Sequence, residues 1–77
     1  MNPIVFPNPS NDMVYIKNLP ESQVSIRLFD GNGRRIGTYL NNKNKEMNLS
    51  IGNLKVGVYY LQIISDYASF TEKLIKL

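Results

Sequence analysis

Apolar and polar residues alternate with a period of two over most of this chain, and this pattern predicts β-strands. The clearest case is Val24, Ile26 and Leu28, which alternate with polar or aromatic neighbours and are expected to point into a core. No stretch keeps apolar residues at helical spacing over about three turns, so no helix is predicted. The predicted strands begin with an edge strand or extended lead-in over 2–9 and continue over 13–17, 23–29, 34–40, 47–51, 58–65 and 69–77.

Three of these strands carry more specific predictions. Ile36 is expected to be the main apolar residue of the strand over 34–40. The strand over 58–65 is apolar on both faces, which predicts a central strand that is covered on both sides. The last strand changes its apolar face between Leu74 and Ile75, and a β-bulge there would reconcile its two halves.

Gly, Asn, Pro and Asp separate the strands and predict turns between them. The strongest turn signal is Asp30-Gly31-Asn32-Gly33, because two glycines and an Asn tolerate the positive φ that tight hairpin turns require. Residues 41–44 are predicted to form a polar turn, and Leu54 is predicted to be a buried plug in the loop over 52–57. Short strands with such turns predict a β-sandwich or a small barrel.

The composition is that of one small globular domain. The chain has 77 residues, of which 43% are apolar and 19% are charged, so it can bury a small core and does not resemble a disordered tail. No apolar run reaches the ~18 residues of a membrane span, and no secretory signal peptide is recognised. We therefore expect one folded domain over 1–77 without direct membrane insertion.

The residue types that are missing exclude most catalytic chemistry. The chain has no Cys and no His, which excludes disulfides, thiolate and imidazole catalysis and most transition-metal sites. With only six acidic residues, we expect no enzymatic activity and no cofactor. The loop at Asp30 begins like a calcium loop, but its twelfth residue is Asn41, which lacks the required carboxylate. The net charge of +3 comes from scattered cations, which argues against nucleic-acid binding.

Four motifs in a fixed order point to a known family. They are Phe6-Pro7-Asn8-Pro9, the strand over 24–30 that runs into Gly33-Arg34, Leu54-Lys55-Val56-Gly57-Val58-Tyr59, and Lys73-Leu74-Ile75-Lys76-Leu77. In this order the chain resembles the C-terminal sorting domain of the type IX (Por) secretion system, type A, of Bacteroidetes bacteria. The likeness runs from about Ile4 to Leu77. The clearest departure is Lys55, which stands where the family often has Pro and implies a looser loop.

The resemblance implies an all-β, immunoglobulin-like antiparallel β-sandwich of about seven short strands. It also implies that 1–77 is a single C-terminal sorting domain excised from a larger secreted protein, with Met1 an added start residue. Its partners would be a covalently linked N-terminal passenger, the outer-membrane translocon and a cell-surface sortase that removes the tail. The protein would pass through the periplasm and reach the cell surface or the extracellular space, with no chemistry of its own.

The same resemblance selects candidate site residues. A translocon-recognition or fold-defining motif is expected at Pro7, Asn8, Pro9, Asp30, Gly33, Arg34, Leu54, Gly57, Tyr59 and Lys73. Within it, Asp30 is expected to cap turn amides and Arg34 to offer an exposed donor. Lys73 and Lys76 flank the last strand, where a partner could add a strand by edge pairing. The competing interpretation is that these residues serve folding alone.

Two other functions stay open. An accessory carbohydrate-binding or adhesion β-sandwich would use exposed rings, for which Tyr60 and Tyr67 are the candidates. A nucleic-acid binder of the OB type is the third hypothesis, and it predicts salt-dependent binding to single-stranded DNA.

Overall fold

The computed structural model describes residues 3–42 and 44–77, and these residues contain seven β-strands and no helix. The strands are β1 (Ile4–Phe6), β2 (Met13–Lys17), β3 (Gln23–Asp30), β4 (Arg35–Asn42), β5 (Met47–Ser50), β6 (Gly57–Ile64) and β7 (Ser69–Lys76). All strand pairs in the sheets are antiparallel, so the all-β prediction is confirmed. Met1, Asn2 and Lys43, which belong to the predicted start residue, lead-in and polar turn, lie outside the described residues.

The strands form two sheets. The three-stranded sheet has the order β1-β2-β5, and the four-stranded sheet has the order β4-β3-β6-β7. In an immunoglobulin sandwich, strands A, B and E face strands C, F and G. Here β1, β2 and β5 correspond to strands A, B and E, and β3, β6 and β7 correspond to strands C, F and G. Strand β4 is added at the edge of the second sheet, beside β3. The predicted sandwich is therefore confirmed, with seven strands.

The core lies between the two sheets. It consists of Val14, Ile16, Leu19, Val24, Ile26, Leu28, Leu49, Ile51, Tyr59, Leu61, Ile63 and Leu74. Alternate residues of β3 and of β6 supply six of these side chains, as the period of two in the sequence predicts. The inward face of each strand is thus known, and the opposite face of the four-stranded sheet points outward.

Strand β4 differs from its prediction. It runs on to Asn42, so the first half of the predicted polar turn is strand, and Asn41 is buried. The register with β3 shifts between Leu28 and Phe29, because Leu28 pairs with Gly37 and Phe29 with Arg35. This register turns Tyr39 towards the core and leaves Ile36 41% exposed, so the prediction for Ile36 is wrong.

Strands β6 and β7 also correct the sequence interpretation. Strand β6 is central, since it pairs with β3 and β7, but its outward face is not covered and Tyr60 is 37% exposed. Strands β6 and β7 pair in one continuous register, which runs from the Gly57–Lys76 pair to the Ile64–Ser69 pair. The bulge predicted in the last strand is therefore wrong; its inward face simply ends on a lysine rather than on an apolar residue.

Candidate functional site

The hairpin between β3 and β4 is held by the side chain of Asp30. Its Oδ1 accepts hydrogen bonds from the main-chain N–H groups of Asn32 at 3.0 Å and Arg34 at 2.9 Å. Gly33 has a φ of +86°, a value that is costly for residues with a Cβ, and its N–H donates to the Asp30 carbonyl. The carboxylate caps the turn amides as expected, and the side chain of Arg34 stays exposed.

A second turn, between β5 and β6, is fixed by Tyr59. Its hydroxyl donates to the main-chain oxygen of Lys55 at 2.7 Å, and the residue is only 8% exposed. Gly57 opens β6 with a φ of +156°, and Leu54 is half-buried against the core. Immunoglobulin-like sandwiches carry a tyrosine at this place, whose hydroxyl bonds back to the main chain a few residues upstream. The alternation along β6 places Tyr59 on the inward face, but it gives no signal for this hydrogen bond.

Replacing Tyr59 by Phe should lower the free energy of unfolding by about 1 to 1.5 kcal/mol, because the hydrogen bond to Lys55 is lost while the ring stays packed. Tyr60→Phe is the matched control: the neighbouring hydroxyl points outward and its loss should change stability by less than about 0.5 kcal/mol. Urea unfolding of both variants measures the difference. Equal effects would show that the turn does not depend on the Tyr59 hydroxyl.

The segment Pro7–Ser10, called here the strap, crosses from β1 to the outer edge of β7. Asn8 Nδ2 donates to the Lys73 carbonyl at 2.7 Å, and Asn8 Oδ1 accepts from the Ile75 N–H at 2.9 Å. The Ser10 N–H donates to the Ile75 carbonyl at 2.9 Å, and the Leu77 N–H donates to the Ser10 carbonyl at 2.8 Å. The strap thus occupies the edge of β7 from Lys73 to Leu77. An added strand cannot pair along that stretch while the strap is in place, so edge pairing stays a prediction only for the part of β7 before Lys73.

Lys76 is not the exposed flanking cation that the sequence suggested. It is 7% exposed, and its Nζ donates to the main-chain oxygens of Asn11 at 2.7 Å and Leu77 at 3.0 Å. The residue shares the inward face of β7 with Phe70 and Leu74. Parity alone gave a weak signal, because the exposed Glu72 lies on the same face of β7, and a lysine is normally assigned to solvent.

The structure brings the candidate residues together at one end of the four-stranded sheet, called here the hairpin end. Asp30 pairs with Tyr59, and Lys73 pairs with Tyr60, in the register of β3, β6 and β7. The hairpin, the Tyr59 turn and the strap therefore adjoin one another. The full set at this end is Pro7, Asn8, Pro9, Asp30, Gly33, Arg34, Leu54, Gly57, Tyr59 and Lys73.

The two candidate rings for carbohydrate binding do not come together. Tyr60 lies near the hairpin end and pairs with Lys73. Tyr67, which is 92% exposed, lies in the turn between β6 and β7 at the other end of the sheet. A sugar ring needs neighbouring aromatic faces and polar groups, and these two tyrosines do not supply a shared platform.

The charged groups at the opposite end form surface ion pairs. Glu21 and Lys45 lie 2.8 Å apart near the start of β3, and Lys45 lowers the pKa of Glu21 through its hydrogen bond and its charge. Among residues 3–42 and 44–77, no three His, Cys, Asp or Glu side chains cluster as metal ligands would. In the same ranges, no helix is long and apolar enough to cross a membrane.

Fold and site together define a class: an immunoglobulin-like sandwich whose candidate residues hold two turns and one sheet edge in place. The sequence profile of the family described as the secretion system C-terminal sorting domain matches residues 4–77. Because this match covers almost the whole chain, the chain belongs to that family, the sorting domains of type IX secretion. Among curated proteins, none matches the chain.

Membership confirms the resemblance inferred from the four motifs, whereas the assignment to type A stays a prediction. A domain of this family is a C-terminal sorting signal for type IX secretion. It implies export to the cell surface or the extracellular space. A sorting signal acts through its surface, so the exposed groups of the domain are where its function is to be sought.

Proposed function

We propose that the outer-membrane translocon of the type IX system reads this domain as a folded shape while it passes through the periplasm. The domain over 1–77 is the C-terminal end of a larger secreted protein and is covalently linked to an N-terminal passenger. A cell-surface sortase then removes it. The domain itself performs no catalysis and uses no cofactor, nucleic acid or direct membrane insertion.

The observation that carries this proposal is the hairpin end. Four separate segments of the chain meet there and are fixed by side-chain to main-chain hydrogen bonds from Asp30, Tyr59 and Asn8. A translocon that accepts many unrelated passengers must recognise a surface that does not change with the passenger. A rigid group of turns, held independently of anything that precedes it, meets this requirement.

The candidate residues divide into two groups by what their side chains contact. The polar groups of Asp30, Tyr59 and Asn8 form hydrogen bonds within the domain, so these side chains stabilise the two turns and the strap. Arg34 and Lys73 have exposed side chains that form no ion pair or side-chain hydrogen bond within the described part of the chain. We therefore assign recognition to Arg34 and Lys73 and shape to the other three.

The test is export of a reporter protein fused in front of this domain in a bacterium with a type IX system. Removing the domain should abolish export. Arg34→Ala and Lys73→Ala should each reduce export about tenfold, equivalent to ~1.4 kcal/mol of binding free energy. Their melting temperatures should stay at the value of the unchanged domain, because both side chains are exposed.

Lys55→Ala is the matched control, since it removes an exposed cation that lies outside the candidate set and should leave export unchanged. If the melting temperature of Arg34→Ala or Lys73→Ala falls in step with export, the residue serves folding rather than recognition. Continued export after deletion of the domain would overturn the sorting role itself.

A further inference from the structure

The outward side of the four-stranded sheet, called here the outer face, has a one-sided charge pattern. Strand pairing arranges it in rows, which are Arg35–Phe29–Tyr60–Lys73, Thr38–Arg27–Gln62–Thr71, Leu40–Ser25–Ile64–Ser69 and the pair Val58–Ile75. These rows contain three cations and no carboxylate. The ion pairs of the described residues lie elsewhere, at Lys17 with Glu46 and at Lys45 with Glu21.

The outer face is apolar near the hairpin end. Phe29 and Tyr60 are directly paired, and Val58 and Ile75 are paired beside them, with Val58 38% and Ile75 37% exposed. Four strands at ~4.8 Å spacing give a width of about 15 Å, and seven residues along β6 give a length of about 20 Å. The outer face as a whole thus covers about 300 Å², and these four residues form its apolar end.

One cation on the outer face has an unsatisfied donor. Arg27 lies in the second row between Thr38 and Gln62, and its buried Nε has no hydrogen-bond partner among the described residues. Buried donors normally have a partner, because an unpaired one costs about 1 to 3 kcal/mol. Turning the guanidinium outward onto an acceptor of another molecule would expose this donor and remove that cost.

We propose that the outer face docks an acidic protein surface of the export machinery. Carboxylates of that surface pair with Arg35 and Lys73, which lie at opposite ends of one row, and with Arg27 in the next row. Apolar groups of the partner pack on Phe29 and Tyr60. Arginine and aromatic residues around an apolar centre are the composition typical of protein interfaces.

A protein surface fits better than a small ligand or a polysaccharide chain. Concave parts of the domain lie around Lys17 and Lys45 and at the far end of the outer face, around Ser25, Leu40, Ile64 and Asp66. The docking residues Phe29, Tyr60 and Lys73 line neither of them. Small-molecule sites are concave and bury most of their ligand. The width of four strands instead matches the broad, flat contact of a protein interface core. This inference rests on the proposed sorting function and names the face and the partner chemistry that serve it.

The first experiment uses the exported fusion with a charge reversal on the outer face. Arg35→Glu/Lys73→Glu should reduce export by at least tenfold, because like charges then face the acidic partner. The control, Lys17→Glu/Lys55→Glu, changes the net charge by the same amount away from the outer face and should be exported at the level of the unchanged domain. Melting curves of all variants verify that each domain is folded.

The outcomes separate this inference from the proposed function. If the outer-face variant is exported normally while deletion of the domain abolishes export, the docking inference is wrong and the sorting function stands. Equal loss of export in both double variants would mean that only net charge matters, and it would also overturn the inference. Loss confined to the outer-face variant, with an unchanged melting temperature, supports it.

The second experiment identifies the chemistry of the partner. A photo-crosslinking amino acid is placed at Thr38 or at Gln62, next to Arg27, in exporting cells, and the adduct sites are mapped by mass spectrometry. Crosslinks to an acidic segment of a secretion-system protein support the inference. Adducts to polysaccharide or to nucleic acid, or crosslinks to a basic protein segment, would overturn the assignment of an acidic protein surface.

Discussion

Lys76→Glu should lower the free energy of unfolding by about 3 kcal/mol or more. The substitution replaces a buried amine, which donates to the main-chain oxygens of Asn11 and Leu77, by a carboxylate that faces the same two oxygens. The new charge is both desolvated and repelled. A domain of this size has a total stability of only about 4 to 12 kcal/mol, so much of it would be lost.

Lys73→Glu is the matched control for this substitution. It makes the same chemical change on the same strand, but the side chain of Lys73 is exposed. Its effect on the free energy of unfolding should stay within about 0.5 kcal/mol. Thermal melts followed by circular dichroism measure both variants. Similar melting temperatures for the two would mean that the Lys76 amine is not enclosed in solution.

Asn8→Ala should lower the free energy of unfolding by about 2 kcal/mol and loosen the edge of β7. The amide side chain makes two hydrogen bonds to this edge, one to the Lys73 carbonyl and one from the Ile75 N–H, each worth about 1 kcal/mol. Amide hydrogen exchange reports the change directly. The Ile75 amide should exchange at least tenfold faster in the variant, because its acceptor is gone.

Asn11→Ala tests whether any asparagine of the N-terminal segment would have the same effect. Asn11 is exposed, and its contact with Lys76 uses its main-chain oxygen, which alanine retains. Its stability and the exchange of the Ile75 amide should therefore match the unchanged domain. If Asn8→Ala leaves the Ile75 amide protected, the strap is not what covers this edge.

The strands could be predicted because each is a local pattern. The alternation of Val24, Ile26 and Leu28 identified both the strand and its inward face, and β6 was recognised in the same way. The hairpin at Asp30 was predicted from residues whose conformational preferences are also local. Sequence order alone cannot tell which strand lies beside which, so the choice between a sandwich and a barrel needed the family resemblance.

The errors fall where two distant segments decide the outcome. The exposure of Ile36 follows from the register between β4 and β3, which shifts at Leu28 and Phe29. The burial of Lys76 depends on a carbonyl of Asn11, 65 residues away. A local pattern holds no information about such a partner, and in both places it suggested the ordinary assignment for the residue type.

The residues of the candidate site could be predicted from the sequence, but their adjacency in the structure could not. The order of the motifs selected Asn8, Asp30, Tyr59 and Lys73, and their adjacency at the hairpin end follows from strand pairing that the sequence does not reveal. The outer face was missed for the same reason. Phe29, Tyr60 and Arg27 are far apart along the chain, and only the sheet sets them side by side.

The strap ties the beginning of the domain to its final residues. The hydrogen bonds from Asn8 and Ser10 reach Lys73, Ile75 and Leu77, so they form only when β7 is present to its end. A polypeptide that stops early, or is clipped within β7, leaves the strap without its partners. The two ends of the domain therefore depend on each other, and a cut within β7 would release the segment before β2 as well as the strand itself.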